Sequence, residues 1–359
     1  MTFQQNLKLF GSRIKNRGAQ NTFRLARNYI RNFFEHASPL KVANLSVIKV
    51  QKWLRRDRLI GMPYIYTIDP INVCNLRCPL CPTGLGILGR DRGKISIERY
   101  QSIIDQVKDY AFKVYLYNWG EPFLHPEIFE IISYTSSRRI EVHLSSNMNR
   151  FSAEMAEKVI DSGLDSLLVS MDGATQEVYE RYRRRGNLAQ VVENLKTLVA
   201  AKKRRGSAKP YIYLRVIINK HNENQIDAMR QMADEIGVDA FTIGSLYIDT
   251  TNPEQAKEWL PTDERFSPYD YSKPMVNTWH CSDLWESMTI NWDGGVAPCC
   301  WLHNHKNDIA NIFDQPVKEL WNGDSYISSR RVFALGGEKA GPVKNICTVC
   351  KGKPMYLKD

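Results

Sequence analysis

From Tyr64 onward the chain alternates short β-rich runs with helical patterns, and this alternation leaves little choice of fold. The runs are YIYTID at 64–69, KVYLY at 113–117, EVHLS at 141–145, SLLVS at 166–170, YIYLRVII at 211–218 and AFTIGS at 240–245. Between them, 96–109, 153–161, 189–203 and 225–236 carry apolar residues at helical spacing, as in Met155, Val159 and Ile160 or Val191, Leu195 and Leu198. Strands separated by helices pair in parallel, and right-handed crossovers curl six of them into an open, partial (β/α)6 TIM-like barrel. Function in such barrels collects at the carboxyl ends of the strands. The segments that follow strands here are the cysteine loop VCNLRCPLC, NWGEP at 118–122, SSN at 145–147, SMDG at 170–173 and INKHNE at 218–223.

The cysteine loop holds Cys74, Cys78 and Cys81. A complete iron–sulfur cluster takes four cysteines and a structural zinc four protein ligands, so three closely spaced thiolates leave a position for an exchangeable ligand. A zinc site closed by a distant residue, or three unrelated buried thiols, are the alternatives. Near the C-terminus Cys281, Cys299, Cys347 and Cys350 supply four thiolates, the number a complete cluster takes, with four-cysteine zinc as the alternative. Cys300 is then spare: a buried thiol, a ligand in place of Cys299, or a hydrogen-atom donor to a substrate radical. His303 and His305 read as loop residues. In a chain of 359 residues, which needs no disulfide staples, clustered cysteines indicate metal ligation in a reducing, cytoplasmic compartment.

The basic excess is confined to one end. Residues 1–60 contain thirteen Lys and Arg against Glu35 and Asp57, whereas the remainder is close to neutral. Within this arm Phe23, Ala26, Ile30, Phe33 and Phe34 recur at helical spacing, with Arg24, Arg27 and Arg31 on an adjacent face, which makes a basic amphipathic helix. Three uses fit it: an anionic membrane surface, a polyanionic or protein partner, or packing on the barrel with a solvated charged face. Nucleic acid is the least expected partner. No secretory signal pattern and no apolar run long enough to span a bilayer is present.

CX3CXXC at Cys74, Cys78 and Cys81 resembles the signature of the radical S-adenosylmethionine (radical SAM) superfamily, and the resemblance extends over most of 63–245. It implies a 4Fe-4S cluster at the triad, reductive cleavage of S-adenosylmethionine to a 5′-deoxyadenosyl radical, hydrogen abstraction from a substrate carbon, and a low-potential electron donor such as flavodoxin or ferredoxin. It places Gly120 and Glu121 at the motif that receives the cofactor's amino group, with Trp119 standing where the family has glycine. Ser145 and Asn147 match the ribose contact. Ser170, Asp172 and Arg183 match the fourth-strand segment that clasps carboxylate and ribose, as a guanidinium fork suits. Leu80, Val216 and Ile217 match the adenine contacts.

INWDGGVAPCC followed by ICTVC resembles the family's SPASM or twitch extension, which implies one auxiliary 4Fe-4S cluster on Cys281, Cys299, Cys347 and Cys350. The expected organisation is a basic helical extension over 1–62, the barrel over 63–246, a connector over 247–274 and the auxiliary-cluster domain over 275–359. The connector is drawn from missing periodicity and from Pro253, Pro261, Pro268 and Pro274. The arm looks too short for a peptide-recognition domain. That favours oxidation or epimerisation of a carbohydrate-like or other small metabolite, with peptide maturation as the alternative, then RNA modification or a non-catalytic iron–sulfur or zinc protein.

Overall fold

The computed structural model describes residues 19–246, 248, 252–267, 281–334, 341 and 343–350. Two helices come first, α1 (Ala19–His36) and α2 (Pro39–Trp53). Six parallel strands follow: β1 (Ile65–Ile68), β2 (Lys113–Tyr115), β3 (Glu141–Ser146), β4 (Ser166–Ser170), β5 (Tyr211–Ile218) and β6 (Ala240–Ser245). The crossovers carry α3 (Pro82–Leu85), α4 (Ile97–Val107), α5 (Ile128–Ser137), α6 (Ala153–Asp161), α7 (Gln176–Tyr182), α8 (Leu188–Arg204) and α9 (Ile226–Ile236). Ser96, Ser152, Thr175 and Asn187 each accept a backbone N–H of the first turn, fixing where α4, α6, α7 and α8 begin.

Burial alternates along the strands as a barrel requires. Val114, Val142, Leu144, Leu167, Val169, Ile212, Leu214 and Val216 pack toward the helices in one core. The residues between them, Lys113, Tyr115, Glu141, His143 and Arg215, face the other side. There Lys113 pairs with Glu141 at 3.1 Å, and His143 lies 3.0 Å from the same carboxylate.

The sheet does not stop at β6 and β1. After α10 (Pro253–Trp259) and α11 (Asp283–Glu286), β7 (Ser287–Ile290) pairs in parallel with β1, with Ile65 opposite Ser287. Then β8 (Gly295–Ala297) and β9 (Ala310–Asn311) add antiparallel, giving the order β6-β5-β4-β3-β2-β1-β7-β8-β9. The C-terminal unit thus continues the barrel sheet, and α12 (Val317–Trp321), α13 (Asp324–Ala334) and α14 (Ile346–Val349) complete it.

Two expectations change. The connector contains a helix, α10, capped by Asn252 and opened by Pro253: proline breaks a helix interior but suits a first turn. Pro268 and Pro274 lie outside the described residues. Helices α1 and α2 pack on the barrel, mostly through polar side chains, with Phe33 stacked on Phe112 at 5.6 Å between ring centroids. Asn32 donates to Glu141 at 2.6 Å, His36 meets Asp165 at 3.0 Å, and Lys41 donates to the Arg139 carbonyl at 2.5 Å. These partners all lie at or just before the amino ends of strands, so α1 and α2 floor the barrel. The side chains of Phe23 and Arg24 lie outside the described residues.

Candidate active site

The cysteine loop leaves the carboxyl end of β1 and closes on α3, which Pro82 opens and Gly86, at φ 75°, ends. Gly84 allows α3 to press on the loop, since a Cβ there would sit 2.3 Å from the Cys78 carbonyl oxygen. Cys78 is buried and Cys74 and Cys81 are half-buried. Burial pushes the Cys74 thiol up to about 12, and the charges of Glu121, Cys78 and Cys81 add to that. Three cysteine sulfurs on one loop are the kind of thiolate donor set an iron–sulfur cluster takes. Among the described residues, no three cysteine Sγ atoms lie within 4.8 Å of one another. Tetrahedral zinc, with Zn–S of about 2.3 Å, would draw its sulfurs to about 3.8 Å. A cubane, which gives each thiolate its own iron, holds them farther apart.

Gly120 and Glu121 stand against this loop. A Cβ on Gly120 would lie 1.8 Å from the Ile71 carbonyl oxygen, so only glycine lets the strands approach this closely. The Trp119 carbonyl accepts from Thr83 Oγ1. Glu121 is buried, which pushes its carboxyl up to about 7 although it accepts from Asn147 N and Ser146 Oγ, each at 2.8 Å, and Phe123 N at 3.2 Å. Its carboxylate is therefore spent on joining the loops after β2 and β3. Asn147 Nδ2 reaches Asn75 Oδ1 at 3.1 Å and lies 3.8 Å from Cys74 Sγ. Ser146, which the sequence reading passed over, holds the carboxylate; Ser145 is its half-buried neighbour on the other face of β3.

From β4, Ser170 pairs across the sheet with Arg215. Asp172 is buried, accepting Arg183 Nε at 2.5 Å on one oxygen and the Ile217 N–H at 2.6 Å on the other. Arg183 Nη1 lies 3.9 Å from Cys78 Sγ, whereas Arg181, Arg184 and Arg185 are exposed. One guanidinium of the basic run is thus selected for the site. Leu80 and Ile217 pack with Leu76, Cys78 and Tyr182, and Trp259 and Leu260 from the end of α10 complete this apolar wall. Val216 is a correction: neighbouring strand residues face opposite ways, and Val216 is buried among the helices, in a different cluster from the cysteine loop.

Two residues outside every motif organise the surroundings. Asp69, at the end of β1, accepts the Trp119 N–H on Oδ1 at 3.4 Å, and burial pushes its carboxyl up to about 7. Arg90 is almost wholly buried, with Nη1 on Asp293 at 2.5 Å and Nη2 on Asp308 at 2.6 Å, which ties the loop after the cysteines to the C-terminal unit. Their signal in the sequence was slight: a carboxylate at a strand's carboxyl end for Asp69, none for Arg90.

In that unit Gly294 makes its turn at φ 89°, beneath Phe313. Burial raises the thiols of Cys281, to about 11, and Cys347, to about 12, and both feel Cys350; Cys299, also raised by burial, feels Cys347 and Cys281. Each of these shifts registers other cysteines of the unit, Cys300 included for Cys299, and four thiolates are the number a complete cluster takes. His303 Nδ1 bonds the Leu88 carbonyl at 3.0 Å and His305 Nδ1 that of Gly89. Cys300 lies near both Cys299 and the barrel's Tyr115 and Tyr117: burial raises the two phenols, and Cys300 adds to both shifts.

Residues 68–258 match the family model of the Radical SAM superfamily, and residues 281–351 that of SPASM, an iron–sulfur cluster-binding domain. The chain belongs to the radical SAM superfamily. The cofactors this implies are S-adenosylmethionine with a 4Fe-4S cluster, and auxiliary iron–sulfur in the SPASM domain. The chain is 32% identical over 180 residues to mycofactocin maturase MftC of Mycobacterium ulcerans, an alignment covering 50% of this chain and 46% of the maturase. The chain thus spans about half the length of that relative. It is 26% identical to AdoMet-dependent heme synthase of Methanosarcina barkeri, over 78% of this radical SAM chain and 88% of the synthase. SuiB of Streptococcus suis bound to S-adenosylmethionine matches with a TM-score of 0.61 at 15% identity, covering 75% of this chain and 68% of SuiB. SuiB bound to its precursor peptide SuiA matches at 0.58 and 15%, covering 78% and 69%. At these identities the structures speak for the fold.

Proposed function

We propose that this radical SAM chain modifies a peptide, abstracting hydrogen from a substrate carbon in the barrel. The observation that carries the radical chemistry is the bracket around the cysteine triad, with Asn147 beside Cys74 and Arg183 beside Cys78. When bound, the cluster on Cys74, Cys78 and Cys81 and its S-adenosylmethionine supply a carbon-centred radical that takes a hydrogen atom. Arg183, fixed by Asp172, presents its remaining donors for a carboxylate or hydroxyl of the cofactor. Asn147 is set by the Glu121 carboxylate and its own contact with Asn75. Leu76, Leu80, Ile217, Trp259 and Leu260 keep water from this wall, while α1 closes the floor.

The C-terminal set, Cys281, Cys299, Cys347 and Cys350, would hold an auxiliary cluster able to accept an electron, so net oxidation or bond formation follows. Cys300, near Tyr115 and Tyr117, would return a hydrogen atom if the outcome is epimerisation. A flavodoxin- or ferredoxin-type protein is the proposed electron source.

A peptide substrate is favoured by relatives named as a maturase and as the antilisterial bacteriocin subtilosin biosynthesis protein AlbA of Bacillus subtilis. A carbohydrate-like metabolite was favoured by the size of the arm, but the arm's helices α1 and α2 lie under the barrel, so that size says nothing of the substrate. Reduced, reconstituted protein should release 5′-deoxyadenosine faster with a cognate precursor peptide and change that peptide's mass. Stimulation by sugars or aminocyclitols and by no peptide would overturn the reading.

A further inference from the structure

The two N-terminal helices sit on the barrel with the sense of their amphipathicity reversed. Helices normally bury their apolar stripe. Among the described side chains of α1 the buried positions are Asn28, Asn32 and His36, while Ile30 and Phe34, on the opposite side, are 59% and 72% exposed. On α2 Lys41, Asn44 and Gln51 are buried beside Ile48, while Val50 and Trp53 are 55% and 80% exposed. The inward polar groups are bonded: Asn44, for instance, pairs with both N and O of Met62, and Gln51 accepts from Ile60 and Gly61. Eleven of the fifteen exposed large apolar residues among those described fall between Tyr29 and Ile60. A patch this concentrated marks an interaction surface.

Its charge identifies the occupant. Both acids of the first sixty residues are engaged, Glu35 by Lys209 and Asp57 by Arg331. Arg55, Arg56 and Arg58 are exposed beside Trp53 and Leu54. Two copies of this face would set like charges together, which opposes self-association. Residues 1–18 add four basic residues and no acid, so they cannot neutralise it. Aromatic and aliphatic side chains rimmed by arginine, with both acids of their own segment already paired, match the boundary between headgroups and acyl chains of an anionic bilayer.

We propose that the outward face of α1 and α2 seats the protein on an anionic membrane surface. Because these helices cover the amino ends of the strands, the carboxyl ends, where the cysteine loop lies, are directed away from the bilayer and stay open to substrate.

The test is flotation of the full-length, reconstituted protein with vesicles of phosphatidylglycerol in phosphatidylcholine, and with phosphatidylcholine alone. Binding should require phosphatidylglycerol, weaken steeply with salt, and fall about tenfold or more both in Ile30→Gln/Phe34→Gln/Trp53→Gln and in Arg55→Gln/Arg56→Gln/Arg58→Gln. Their melting temperatures should match the wild type, since these side chains face outward. No binding to phosphatidylglycerol vesicles, or undiminished binding by a variant that melts normally, overturns the proposal. So does a dimer in gel filtration that the apolar variant splits, because the face would then be an interface between copies.

Discussion

Arg183 donates its Nε to the buried carboxylate of Asp172 at 2.5 Å. The same carboxylate accepts the Ile217 N–H, and the far end of the guanidinium lies 3.9 Å from Cys78 Sγ. One ion pair thus ties the β4 segment, β5 and the cysteine loop together.

Arg183→Lys keeps the charge and loses the planar fork. We expect S-adenosylmethionine affinity to fall about tenfold or more, roughly 1.4 kcal/mol, with cluster iron retained. A binding titration paired with an iron assay checks this; unchanged affinity would count against the assigned role.

Glu121→Gln replaces an acceptor-only group by an amide whose NH2 must face one of three donors, Ser146, Asn147 or Phe123. The expected cost is about 1–3 kcal/mol of stability, read from thermal melts, with weakened cofactor binding because Asn147 shifts. A variant as stable as the wild type contradicts the bonding described.

Arg90→Met leaves Asp293 and Asp308 facing each other without their cation. Breaking such a pair one-sidedly costs about 3 kcal/mol. Limited proteolysis should release the C-terminal unit faster, and adding Asp308→Asn should restore part of the loss. Equal protection in wild type and Arg90→Met would show the clasp to be idle.

Burial lifts the Asp69 carboxyl from 3.8 to about 7, so the folded protein keeps a proton that the unfolded chain has lost. The stability this contributes is complete below about pH 4 and is lost as pH rises through about 7. Asp69→Asn lacks that dependence. The stability of wild type minus variant should therefore drop by roughly 2 kcal/mol between pH 5 and 8. A constant difference refutes the shift.

Six strands and four of the crossover helices were legible because burial imposes its period on each segment locally: β4, β5, β6 and α6 fall where alternation and helical spacing put them. The two iron–sulfur domains were legible because the spacing of their cysteines is the family signature, and both family models match. What stayed hidden depends on partners far along the chain. β7 lies in a stretch that the sequence sets apart as a separate domain and joins the barrel sheet only through β1, more than 200 residues earlier, and Arg90 acquires its role only from Asp293 and Asp308. In the arm the apolar stripe was visible, but its direction was not, since the polar residues that face inward are matched by Glu141, Asp165 and the Arg139 carbonyl.

The central claim is that Cys74, Cys78 and Cys81 hold a cluster with one position open to S-adenosylmethionine. Electron paramagnetic resonance of the anaerobically reconstituted, reduced protein tests it most directly. The account predicts two cluster signals, one of which changes when S-adenosylmethionine is added and disappears in Cys78→Ala. A spectrum indifferent to the cofactor, or zinc at the triad, would contradict it.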